Sequence, residues 1–153
     1  MHERIYVCHT FYHVYVACLK EFHILHQTGN GTDRAAEGSS AAGRATLVLS
    51  KMSNHFDGMI DRARECGLFE EVIEFDEKED TFFPELKPLR TDTGNLVRNM
   101  INRIRFCRRF AQLQERYIPV NFSLYRDIYV FCDSDPIGYY FNSRKIRYHA
   151  LED

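Results

Sequence analysis

The chain of 153 residues has no tryptophan, only four prolines and eight glycines, and no long apolar run. Its longest apolar stretches fall well short of the about 20 residues that a membrane-spanning helix requires, so any contact with a membrane is expected to be peripheral. A secretory signal pattern is also missing, because Glu3 and Arg4 precede the first apolar stretch and His9, Thr10 and His13 interrupt it. The cysteines (Cys8, Cys18, Cys66, Cys107 and Cys132) are odd in number, widely separated and form no C-x-x-C pair, which points to a reducing, cytoplasmic setting. Neither sign of charge dominates. With 20 Lys+Arg against 22 Asp+Glu the formal net charge is −2, which removes the electrostatic case for general nucleic-acid binding.

What is present suits a folded domain. A hydrophobic fraction of 44% with 14% aromatic residues is too rich for disorder, and the length fits one ordinary domain spanning 1–153. Ile5–Cys8 is a short β-rich run, followed by His9-Thr10 and then by Phe11, Val14, Tyr15, Cys18, Leu19 and Phe22 at helical spacing. Thr10 is placed to cap that helix. Residues 28–44 turn to Gly, Ser, Ala and charged residues, and are expected to form a mobile loop. Ala45–Ser50 reads as a strand covered on both faces, followed by a helical stripe from Phe56 to Ala63 that Gly67 is placed to end.

Residues 70–75 read as a third strand, and the acidic stretch 76–80 with Pro84 and Pro88 as an irregular surface excursion. Leu96–Leu113 is expected to be a long helix with Val97, Met100, Ile101, Ile104, Cys107 and Ala111 on one side. Strands near 127–132 and 146–151 flank a short helix over 136–141. Strands alternating with helices predict an α/β fold, a Rossmann-like parallel sheet with helices on both faces.

Four clusters carry chemistry. Cys8, His9 and His13 include two imidazoles at i, i+4, but zinc needs a further ligand and the H-E-x-x-H pattern is absent, so no metal is assigned. His9 and Thr10 follow the first strand, where a parallel sheet opens its ligand crevice; a capped helix start with a buried histidine explains them equally well. Arg98, Arg105 and Arg109 fall within about 40° on a helical wheel, with no acid interleaved. They read first as the solvated side of an amphipathic helix, with an anionic membrane or a neighbouring domain as the functional alternative. Asp133, Ser134 and Asp135 follow the fourth strand; Asp135 is placed to cap the next helix, which leaves Asp133 and Ser134 for a polar ligand. Glu152 and Asp153 follow the last strand, where one carboxylate facing a partly dry cleft suits a general base and a frayed acidic terminus is the plain alternative.

The opening IYVCHTFYHVYVACLK, the segment DIYVFCDSDPIGYY and the closing IRYHALED together resemble glycosyltransferase family 52, which contains bacterial sialyltransferases acting on lipooligosaccharide and related surface glycans. The resemblance spans the chain but only the N-terminal half of such an enzyme. It implies the N-terminal domain of a GT-B architecture, with a separate C-terminal domain holding most of the donor, CMP-sialic acid. Glu152 and Asp153 match the two acids of an acid-acid-Gly motif that supplies the base, with Glu152 the favoured one, while His9, Thr10, Asp133 and Ser134 are the expected substrate-binding residues. The Gly of that motif and the family's later His-Pro pair are not in these 153 residues. The implied reaction is inverting transfer of sialic acid to a galactose-type acceptor of a surface glycan, with no cofactor beyond the sugar nucleotide, in the cytoplasm or at the inner membrane face. A non-catalytic glycan- or partner-binding module and a nucleotide-binding regulatory domain are the rival readings.

Overall fold

The structure is a computed structural model describing residues 2–27, 43–52 and 56–151. The expected mobile loop over 28–44 lies, except for Gly43 and Arg44, outside the described residues, and so do Glu152 and Asp153.

Strand β1 (His2–Cys8) carries a five-residue buried run because it lies at the middle of the sheet. β2 (Ala45–Ser50) is buried at every position, as its unbroken apolar sequence requires. β3 (Phe69–Phe75), β4 (Tyr125–Val130) and β5 (His149–Ala150) complete a five-stranded, all-parallel sheet in the order β3-β2-β1-β4-β5. This is the α/β Rossmann-like fold expected from the alternation of elements. Two departures concern the last strands. β4 ends at Val130 rather than 132, because Phe131 leaves the ladder to stack on the His13 ring. β5 is two residues rather than six: Lys145 ends the preceding helix in a left-handed conformation, Ile146 N–H returns to Phe141 C=O, and the chain reaches the sheet only at His149.

Helix α1 (Phe11–Gln27) begins as anticipated, with Thr10 Oγ1 accepting from His13 N–H at 3.2 Å. α1 and α2 (Met59–Glu65) cover one face of the sheet, where Tyr6, Cys8, Leu47 and Leu49 meet Val14, Ala17 and Ala63. On the other face Ile5, Val7 and Val48 meet Ile137 and Phe141 of α5 (Pro136–Arg144). Gly67 has φ 71°, the left-handed turn after α2 that its position suggests.

The stretch after β3 is more ordered than a surface excursion. It runs through two 3-10 turns into the short α3 (Lys87–Arg90), and Phe83 and Leu86 are buried against Phe110 of α4 (Leu96–Gln114). The apolar side of α4 also differs from expectation. Its core contacts come from Phe110, Ala111 and Gln114 near the C-terminal end, whereas Val97, Met100, Ile101 and Ile104 are exposed.

Burial raises the pKa of two thiols where α1 packs on the sheet, pushing Cys18 of the helix up to about 11 and Cys8 of β1 well above its ordinary value, and it raises that of the Tyr6 phenol beside Glu21 as well. In each case the unfolded chain releases the proton first. The contribution of these groups is therefore fully present below the unfolded thiol value of about 8.5 and is lost as pH rises above it, with Tyr6 adding to the fall above about 10. Urea unfolding followed from neutral to alkaline pH should show this decline, and Cys8→Ala should flatten its first part.

Candidate functional site

The order of the sheet reverses between β1 and β4, since β2 and β3 lie to one side of β1 and β4 and β5 to the other. At such a point the connections leave the strand ends in opposite directions and a crevice opens at the carboxyl edge. His9 leaves β1 into this crevice, Ser50 ends β2, and Cys132–Pro136 connects β4 to α5. Glu77, two residues beyond β3, reaches it from the side.

The Glu77 side chain is buried and ties these elements together. One of its oxygens, Oε2, accepts from Ser50 Oγ at 2.6 Å and lies 2.8 Å from His9 Nε2; the other, Oε1, accepts from Ile137 N–H at 2.7 Å. A carboxylate offers only acceptors, so His9 presents Nε2–H to it. Ile137 is the second residue of α5, so Glu77 supplies the N-terminal hydrogen bond expected of Asp135, which makes no side-chain capping bond. Asp135 instead faces His9, with its Oδ2 at 3.5 Å from Nε2. Desolvation raises the Asp135 pKa; His9 opposes the rise and Glu77 adds to it. A half-buried carboxyl group with a raised pKa and some remaining exposure is suited to accepting a proton from a ligand hydroxyl.

The second imidazole orients the turn. His13 Nδ1 accepts from the backbone N–H groups of His9 at 3.1 Å and Thr10 at 3.3 Å, which leaves its neutral-form proton on Nε2, and its ring stacks on Phe131 with centroids 4.5 Å apart. Ligand atoms of His9, His13 and Cys132 lie within 4.8 Å of one another, a grouping with the donor types of a metal site. The His13 ring is already engaged by the backbone of the turn between β1 and α1, and the His9 ring by Glu77. For His13 to ligate through Nε2, the ring would have to move its proton to Nδ1 and lose both backbone donors.

A groove of about 610 Å³ adjoins this centre. Met52, Ser134 and Pro136 form its wall at the sheet edge, while Arg103, Phe106 and Tyr139 face them from α4 and α5. Phe106 and Tyr139 meet edge to face at 6.1 Å. Aromatic rings beside the Arg103 guanidinium and Ser134 form a surface that a sugar can stack on and hydrogen-bond to.

The sequence-expected residues are distributed across this region. His9 lies in the buried centre and Thr10 serves as the helix cap. Ser134 lines the groove, and Asp133 turns toward Tyr148, whose hydroxyl lies 3.4 Å from its Oδ2. Glu77 and Ser50 were not legible as site residues: Glu77 sits in an acidic run that resembles solvated surface, and Ser50 at the end of an apolar strand resembles a simple terminator. No protein-family model, no curated protein and no solved structure matches this chain.

Two substitutions test the construction of the site. Removing the Glu77 carboxylate takes the acceptor from the Ser50 hydroxyl and the Ile137 N–H and the nearer of two carboxylates from His9, so Glu77→Ala should cost about 3 to 5 kcal/mol in urea unfolding, while Glu77→Gln, which keeps the shape, should cost about 1 to 3 kcal/mol. Gly138 lets α5 approach the β4 connection closely: a Cβ there would stand 1.8 Å from the Asp133 carbonyl oxygen. Gly138→Ala should therefore lower stability by about 1 to 3 kcal/mol or more, seen as a lower urea midpoint.

Proposed function

We propose that the chain is the acceptor-side, N-terminal domain of an inverting glycosyltransferase resembling the bacterial sialyltransferases of family 52, with a galactose-type glycan as acceptor and CMP-sialic acid as donor. The observation that carries this reading is the groove lined by Ser134, Phe106 and Tyr139 beside the His9–Glu77–Asp135 centre, at the reversal point of a parallel sheet. The sequence resemblance of the two end segments adds the substrate class.

In the proposed reaction a carboxylate takes the proton of an acceptor hydroxyl while that oxygen attacks the anomeric carbon of the sialyl donor. The bond to CMP breaks with inversion, and the electron pair leaves on the phosphate. Glu152 is the base carried over from the family motif, with Asp153 orienting. Asp135 is the alternative suggested by its surroundings, because it is partly exposed, its pKa is raised and a buried histidine backs it. His9 and Glu77 would then be positioning residues, and Ser134 and Tyr139 would meet the acceptor sugar.

Titrating the isotopically labelled chain with a galactose-terminated oligosaccharide tests the reading. Amide shifts are expected at Ser134, Phe106 and Tyr139, and Tyr139→Ala should weaken binding by about tenfold, the scale of one lost stacking contact. Shifts caused by CMP alone at these positions, with none from the glycan, would instead make the groove a nucleotide site. In a preparation that transfers sialic acid, the base is identified by comparing Glu152→Gln with Asp135→Asn: the variant lacking it should lose roughly a hundredfold in kcat.

A further inference from the structure

Helix α4 leaves its N-terminal half outside the core. Leu96, Val97 and Met100 are 87%, 64% and 61% exposed, and Ile101 and Ile104 are exposed as well. At about 100° per residue these five side chains form one stripe of about 140°. Arginines border it on both sides, with Arg98 and Arg105 on one flank and Arg103 on the other. The helix contains no acidic residue. From Lys87 to Arg109 there are seven Lys and Arg residues against the single Asp92, in a chain whose net charge is −2. Asp92 is itself engaged by Gly94 N–H and Asn99 Nδ2 at the start of the helix. Among the described residues, acids from neighbouring segments reach two of these cations, Arg90 through Asp80 and Arg109 through Glu85.

We infer that the exposed N-terminal half of α4 docks on an anionic lipid surface, with its aliphatic stripe sunk among the acyl chains and its arginines against the headgroup phosphates. An amphipathic helix with cations flanking an apolar face has the chemistry of interfacial binding, in which apolar burial and attraction to anionic lipid act together. No helix among the described residues is long and apolar enough to cross a membrane, so the contact is peripheral. Two other occupants fit the stripe less well. It holds no aromatic ring on which a nucleobase would stack, as single-stranded nucleic acid prefers. Pairing with the same helix of a second copy would bring arginine flanks together without intervening acids. The inference does not depend on the glycosyltransferase reading, because vesicle binding and glycan binding are measured separately.

The test is co-sedimentation of the purified chain with vesicles of phosphatidylcholine alone and of phosphatidylcholine mixed with phosphatidylglycerol. Binding to the mixed vesicles should be at least tenfold stronger and should fall with added salt. Combining Met100→Asp with Ile104→Asp should reduce it tenfold or more, and Arg98→Gln with Arg105→Gln by roughly fivefold per arginine. All four side chains are exposed, so circular dichroism and the unfolding midpoint should stay those of the parent chain. Equal binding to both vesicle types, or unchanged binding by the Met100→Asp, Ile104→Asp variant, overturns the inference. It is also overturned if poly(U) RNA binds in preference to the mixed vesicles, or if the stripe proves to be the contact of a dimer that persists when these vesicles are added.

Discussion

The Glu77 carboxylate is the constraint on which the candidate site depends. A buried acid has to be met by donors on all sides, and here the donors come from three separate elements: the turn after β1 through His9, the end of β2 through Ser50, and the first turn of α5 through Ile137. Each bond answers a need on the other side as well. Ile137 N–H is one of the orphan donors at a helix start, the Ser50 hydroxyl is fully buried, and the His9 ring is buried with its Nε2–H turned toward an acceptor. Because Glu77 meets the helix start, Asp135 is left to face His9 from the more exposed side.

This exchange between two acids explains what was legible in the sequence and what was not. The first three strands, expected at 5–8, 45–50 and 70–75 and found at 2–8, 45–50 and 69–75, and the Thr10 cap depend on local pattern: apolar runs, a hydroxyl before a helical stripe, and a glycine where the chain turns left-handed. Asp135 directly before Pro136 carries the local pattern of a cap, and that reading fails because a residue 60 positions away along the chain supplies the bond. Periodicity carries no information on such long-range pairing, and an acidic run such as 76–80 looks solvated whether or not one member turns inward. The same limit applies to α4. Its apolar stripe predicts a helix correctly, but a stripe alone does not say whether the neighbouring layer reaches it, and here the layer ends near Phe106 and Phe110.

The molecule thereby separates two kinds of surface on one helix. The C-terminal half of α4 packs on α3 and α5, one side of the helix from Asn99 to Phe110 lines the groove, and the N-terminal half also presents aliphatic side chains and arginines. The groove-lining positions Asn99, Arg103 and Phe106 and the exposed positions Met100, Ile101 and Ile104 are interleaved along the same turns. A surface that engages the stripe therefore lies beside the mouth of the groove, and the rigid helix between them sets their relative placement.

Amide hydrogen exchange at Ile137 tests the role of Glu77 most directly. If the carboxylate holds the start of α5 to the ends of β1 and β2, this N–H exchanges only with global unfolding in the parent chain. In Glu77→Gln its protection should then fall well below that of the β1 and β2 core amides. Ile137 protection that stays equal to that of the core in Glu77→Gln would contradict the account, since α5 would then be held by its packing on Phe122 and Val130 without the buried acid.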